Sequence, residues 1–148
     1  MLLGDFFEIR NAEATDTAIK ADLVINAGHT IFEGHFPRQP VVPGVCMMQM
    51  IKEIIEQVIE KKTNLISASE MKFLAIIDPV QNNNIQATLK YTSVNDVEVA
   101  VTATLFKEEV IHFKFKGLFA ISWFQQKESK FTRTNKLNDD ATITAVEK

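Results

Sequence analysis

Three of the chain's four prolines and two of its five glycines fall between Gly34 and Gly44. No regular element can pass through such a segment. Each proline locks its own φ, lacks an N–H and pushes the residue before it towards extended backbone. The segment predicts a stiff, ordered loop. Directly behind it the pattern turns helical over Val45–Lys62. Val45, Met48, Ile51, Ile55, Val58 and Ile59 form an apolar stripe, widened by Met47 and Ile54. Gln49, Glu53, Glu56 and Glu60 form the opposite, polar ridge. Pro43 is a favourable residue ahead of a helix start. No other segment reads as a strong helix, so the rest of the fold is left to strands.

Residues 17–25 alternate, with Ile19, Ala21, Leu23 and Ile25 on one side and Lys20 and Asp22 on the other, as a half-buried strand requires. Residues 2–10 read as a helical turn leading into a strand. Four strand-like runs follow the helix: Met71–Ile77, Ile85–Thr92, Val97–Leu105 and Ile111–Trp123. The last sets its apolar parity against His112, Lys114, Lys116 and Ser122. Short polar joins at 80–84, 93–96 and 107–109 read as hairpin turns. The result is a meander of long antiparallel strands. The fold class is α+β, a central helix wrapped by an antiparallel sheet. One helix cannot cover both faces of such a sheet, so closure by a second copy of the chain is the natural solution. Residues 1–124 are expected to form the single domain, and the polar, aperiodic 125–148 a surface tail.

Composition narrows the function classes. A chain of 148 residues with 46% hydrophobic content supports one real core. A net charge of −3 without a clustered basic face argues against nucleic acid as a partner. The single cysteine, Cys46, excludes an intrachain disulfide and fits a reducing compartment. It reads as a small buried residue. No leader-like segment and no run of about 18 apolar residues is visible, so a cytoplasmic location without membrane insertion is expected. No metal-ligand cluster, phosphate loop or nucleotide signature is present, and no metal or resident cofactor is expected.

The register Gly34-His35-Phe36-Pro37-x-x-Pro40-x-x-Pro43-Gly44-Val45, followed by a helix, resembles the signature of the 3-hydroxyacyl-(acyl carrier protein) dehydratases of fatty acid synthesis. Those are hotdog-fold proteins, and the resemblance covers roughly residues 1–124. It implies a dimer with joined sheets and active sites at the interface. That dimer is a homodimer or larger homo-oligomer, or a heterodimer with a homologous dehydratase. It implies loss of water from a 3-hydroxyacyl thioester to give the trans-2-enoyl thioester. The substrate would ride on the phosphopantetheine of acyl carrier protein, the expected partner, or on coenzyme A. The family histidine falls on His35 and the family's backbone oxyanion donor on Gly44. The family's acidic residue, which the resemblance implies is supplied by the partner subunit, falls fourteen places after His35, where this chain carries Gln49.

Such a dehydration needs a base for the C2 proton, a donor for the enolate oxygen and a proton for the departing hydroxyl. His35 titrates near working pH and sits in a rigid loop; it reads as the base, against the plainer reading of a loop histidine. Gly44 lets a carbonyl approach the open N–H groups of a helix start, or serves only to begin the helix. Phe36, Val45 and Met48 join Gly44 as substrate-binding residues. Met47, Met48 and Met50 either line an acyl tunnel or fill the core. Gln49 cannot ionise. It orients the hydroxyl or a water while His35 carries both proton steps, or marks a non-catalytic partner subunit of an active dehydratase, or marks an acyl thioesterase. Its plainest reading is as part of the solvated ridge. Glu53, one turn on, is a substitute acid placed deeper along the helix. Arg38 either meets a phosphate or an acidic carrier, or is a structural arginine. His29 reads as a turn residue and His112 as exposed.

Overall fold

The computed structural model describes residues 1–36 and 38–122. The elements run β1 (Phe7–Ala14), β2 (Ala18–Ile25), the single helical turn α1 (Ile31–Gly34), the long helix α2 (Gly44–Ile59), β3 (Lys62–Phe73), β4 (Asn84–Asn95), β5 (Glu98–Lys107) and β6 (Val110–Ser122). The expected tail at 125–148, the domain end at 124 and Trp123 lie outside the described residues.

All strands join one six-stranded sheet in the order β1-β2-β4-β5-β6-β3. Every neighbouring pair is antiparallel. The α+β class expected from the sequence is the one observed. Alternation decides which face is buried. Ile85, Ala87, Leu89 and Tyr91 of β4, and Val99, Val101, Ala103 and Leu105 of β5, all point inward. They meet the apolar face of α2, where Met50, Ile51, Ile54 and Ile55 are fully buried. Each such side chain is worth about 1.5–3 kcal/mol when taken out of water.

The helix begins one residue earlier than its apolar stripe and ends three residues sooner than predicted, at Ile59. Pro43 (φ −62°, ψ 146°) is extended and cannot be helical, so Gly44 is the first helical residue. Glu60 adopts left-handed backbone (φ 59°) and turns the chain straight into β3. Val45, assigned to the apolar stripe, is 76% exposed. It lies on the face of the first turn that the sheet does not reach.

Two strand assignments need correction. The strand expected at Met71–Ile77 begins at Lys62 and ends at Phe73. Its alternation is hidden by two bulges against β6, at Leu65/Ser67 and Ala68/Glu70, which shift the parity twice. The join at 80–84 is not a hairpin turn. It carries the chain from β3, at one edge of the sheet, to β4 between β2 and β5. The other two joins are hairpins. Asn95 shapes the first, its Oδ1 accepting the Val97 N–H at 2.9 Å, and Glu108 (φ 54°) sits in the second.

His112, expected to be exposed, is 4% exposed. Its strand parity is outward as read, but the segment after β3 folds over it. The His112 carbonyl accepts the Leu74 N–H at 2.9 Å, and its Nδ1 lies 3.2 Å from the Ala75 carbonyl. A carbonyl can only accept, so Nδ1 carries the proton.

Candidate functional site

The proline-rich loop is tied at several points. His35 ends α1, its N–H donating to the Phe32 carbonyl at 3.3 Å and its own carbonyl accepting the Val41 N–H at 3.1 Å. Val42 N–H donates to the Ile77 carbonyl at 3.0 Å, which binds the loop to the segment after β3. The His35 ring is half-buried and stacks on Phe36 with centroids 4.5 Å apart and planes 14° apart. Neither ring nitrogen has a protein partner among the described residues, so both are open to a ligand. Phe36 is 53% exposed beside it.

Helix α2 opens at the end of this loop. Pro43 caps it without a side-chain bond, and the Pro43 carbonyl accepts the N–H groups of Cys46 and Met47 at 3.0 and 3.2 Å. The N–H groups of Gly44 and Val45 have no partner among the described residues. They are open donors at the start of a helix. Gly44 also has a packing reason. A Cβ there would stand 3.0 Å from Phe73 Cε1, so the ring lies directly over the first turn. Phe73 in turn stacks on Phe113 at 4.7 Å. Nothing in the sequence marks Phe73 for this role, because the contact joins the end of β3 to the start of α2.

The expected substrate-lining residues divide. Phe36 and Val45 are exposed apolar side chains, whereas Met48 is half-buried against the core. Met47 and Met50 belong to the core outright, as does Cys46, whose thiol is pushed up by burial. Arg38 is exposed. His29 is a staple of its turn: its Nδ1 accepts the Ile31 N–H at 3.0 Å, so Nε2 carries the proton and donates to Asp5 Oδ2 at 2.9 Å.

Gln49 is not part of a solvated ridge. Its Nε2 donates to Glu53 Oε2 at 2.7 Å. Glu53 is 2% exposed, and its carboxylate accepts the Leu2 N–H at 2.8 and 3.0 Å and the Leu3 N–H at 2.7 Å. The ridge is a set of ties. Glu53 holds the segment before β1, and Glu56 Oε2 accepts the Thr63 N–H at 2.7 Å at the start of β3. Only Glu60 is exposed as the ridge reading required. The Glu53 carboxylate is thus committed to three donors, the N–H groups of Leu2 and Leu3 and the Gln49 amide. Among the described residues no group of three or more His, Cys, Asp or Glu side chains could hold a metal ion. No helix there is long and apolar enough to cross a membrane.

A long helix laid across one antiparallel sheet defines a protein of the hotdog fold. The family profile described as ApeI-like, the ApeI dehydratase, matches residues 11–114, and the chain belongs to that family. The 3-hydroxyacyl-(acyl carrier protein) dehydratase FabZ of Rickettsia felis is 26% identical over 109 residues, covering 68% of this chain and 75% of the relative. FabZ of Rickettsia akari is 27% identical over 95 residues, covering 59% of this chain and 66% of the relative. Among solved structures, the dehydratase heterocomplex ApeI:P from Xenorhabdus doucetiae superposes with a TM-score of 0.59 at 17% identity, over 74% of this chain and 95% of that one. A candidate thioesterase from Silicibacter superposes with a TM-score of 0.57 at 15% identity, over 82% of this chain and 81% of that one. These likenesses at low identity speak for the fold.

Proposed function

We propose that this chain acts on 3-hydroxyacyl thioesters, removing water to leave the trans-2-enoyl thioester, with His35 as the acid–base group. The observation that carries the reading is that one loop begins at His35, its ring nitrogens uncommitted among the described residues, and ends at the open N–H groups of Gly44 and Val45. Phe36 and Val45 supply exposed apolar surface for the acyl chain. The thioester oxygen sits on the Gly44 and Val45 N–H groups, which lowers the cost of charge on it. His35 takes the C2 proton, the C2–H electrons become the C2–C3 double bond, and the C3–O bond breaks. The protonated His35 delivers that proton to the departing hydroxyl, which leaves as water. Gln49 cannot supply a proton, so both transfers fall to one imidazole.

The acyl group arrives on phosphopantetheine, from an acyl carrier protein or coenzyme A, and the working unit is a dimer. Support for a dimer lies in β3, an edge strand with Leu65, Ile66, Met71 and Phe73 between 39% and 50% exposed. A long apolar edge is a site for strand pairing. A second reading is favoured by Gln49 itself: the chain is the partner of a homologous dehydratase that carries a carboxylate at this position.

The test is an assay of the purified chain with a 3-hydroxyacyl carrier-protein substrate, following the enoyl chromophore. His35→Ala should lower kcat by about 10²–10⁴-fold. Activity that appears only on mixing with a carboxylate-bearing homologue would establish the partner reading. Thiol release without enoyl formation would replace both with a thioesterase.

A further inference from the structure

We infer that Glu53 is a positioning residue that sets the polarity of Gln49, so that this site recognises a hydrogen-bond donor at C3 of the acyl chain. The inference rests on the acyl-thioester reading above and specifies its substrate. An amide has a donor end and an acceptor end, and either can face a ligand. Here the choice is made by the protein. Glu53 is 2% exposed and its carboxylate already accepts the N–H groups of Leu2 and Leu3. A carboxylate bonded in this way offers Gln49 only an acceptor. The amide must turn its Nε2 inward, and it does so at 2.7 Å. Gln49 is one turn beyond the exposed Val45, and its own side chain is half-buried. Its Oε1 has no partner among the described residues, so the end left for a ligand is the acceptor.

An acceptor at this position binds a C3 hydroxyl through the hydroxyl proton, leaving the oxygen lone pairs free to take up a proton. It disfavours a C3 ketone, which brings only an acceptor and sets two oxygens against each other. The site is therefore selective for the 3-hydroxyacyl over the 3-oxoacyl oxidation state, and Glu53 is the origin of that selectivity although it never touches the substrate.

The experiment compares binding of 3-hydroxyoctanoyl and 3-oxooctanoyl pantetheine amides to the full chain by calorimetry. Nitrogen in place of the thioester sulfur leaves C2 too weakly acidic to eliminate. The native chain should favour the hydroxy compound by roughly 2- to 12-fold, the value of one net hydrogen bond. Glu53→Gln keeps an acceptor for the Leu2 and Leu3 N–H groups but presents an amide donor to Gln49. Gln49 then turns over, and the preference should vanish or reverse. Gln49→Leu, which leaves Glu53 in place, should also abolish the preference. A merely structural role for Glu53 would weaken both ligands together and leave their ratio unchanged, which would overturn the inference. So would a native chain that binds the two equally. If the native chain binds neither compound and turns over no acyl thioester, the acyl-thioester reading itself fails.

Discussion

At the scale of single residues, Glu53 shows how a polar periodicity misleads. Gln49, Glu53, Glu56 and Glu60 fall on one helical face, which by spacing alone is a face for water. Two of the four glutamine and glutamate side chains instead accept backbone N–H groups from other parts of the chain. The partners of Glu53 lie about fifty positions away in sequence, beyond the reach of any local pattern. Gln49→Glu would place two carboxylates within hydrogen-bond distance in a dry setting. We expect the single change to lower stability and Gln49→Glu with Glu53→Gln to restore most of it, with a coupling of about 0.5–3 kcal/mol measured by urea denaturation. Cys46 permits a simpler check. The residue is 4% exposed, and burial pushes its thiol pKa up, so little thiolate forms near neutrality. A disulfide reagent should label it only as fast as the chain opens, and labelling at native speed in folded protein would contradict its burial.

At the scale of elements, β3 was the hardest to read and the most consequential. Its bulges break the alternation, and most of its side chains are exposed, so no burial period is written into residues 62–70. The bulge is held by Gly117 on β6, where a Cβ would stand 2.5 Å from the Ser67 carbonyl oxygen. That neighbour is backbone and cannot swing away. Gly117→Ala should cost about 1–3 kcal/mol in thermal or denaturant unfolding, whereas Gly34→Ala meets nothing within 4 Å and serves as the control. On β4, Tyr91 donates its hydroxyl to the Thr15 carbonyl at 2.6 Å, closing the β1–β2 turn onto the sheet. Burial, with a smaller push from Asp16, raises its pKa to about 12. The folded state thus holds the neutral phenol more firmly than the unfolded chain, whose tyrosine ionises near pH 10. The stabilisation is whole below about pH 10 and is lost as pH rises towards 12. Tyr91→Phe should be less stable at neutral pH and should flatten the alkaline fall, read from unfolding midpoints across that range.

At the scale of the whole molecule, α2 covers the middle of the sheet but touches β3 only towards its two ends, at Thr63 and Phe73, and leaves most of that strand exposed. Leu65, Met71 and Phe73 stay partly in water although their cross-strand partners Phe119, Phe115 and Phe113 are fully buried. Leu74 and Ile76, 54% and 62% exposed, extend the patch beyond the strand. Light scattering should show a dimer or larger assembly. Ile66→Lys, on the edge and 47% exposed, should weaken that assembly with little effect on folding of the subunit. A native chain that stays monomeric at micromolar concentration would remove the basis for an interfacial site.

The sequence by itself determined the fold class, the helix within a few residues, five of the six strands in outline, and the loop that carries His35. These follow from period, proline and glycine, which act over short stretches of chain. The tertiary structure alone decided what surrounds those residues. Phe73 over Gly44, the cover on His112, the crossing from β3 to β4 and the carboxylate behind Gln49 all join segments distant along the chain. Local spacing holds no record of them. The surroundings expected of position 49 changed for the same reason. A sequence can say that an amide stands there, but which end of it faces outward depends on a buried partner that only folding brings into place.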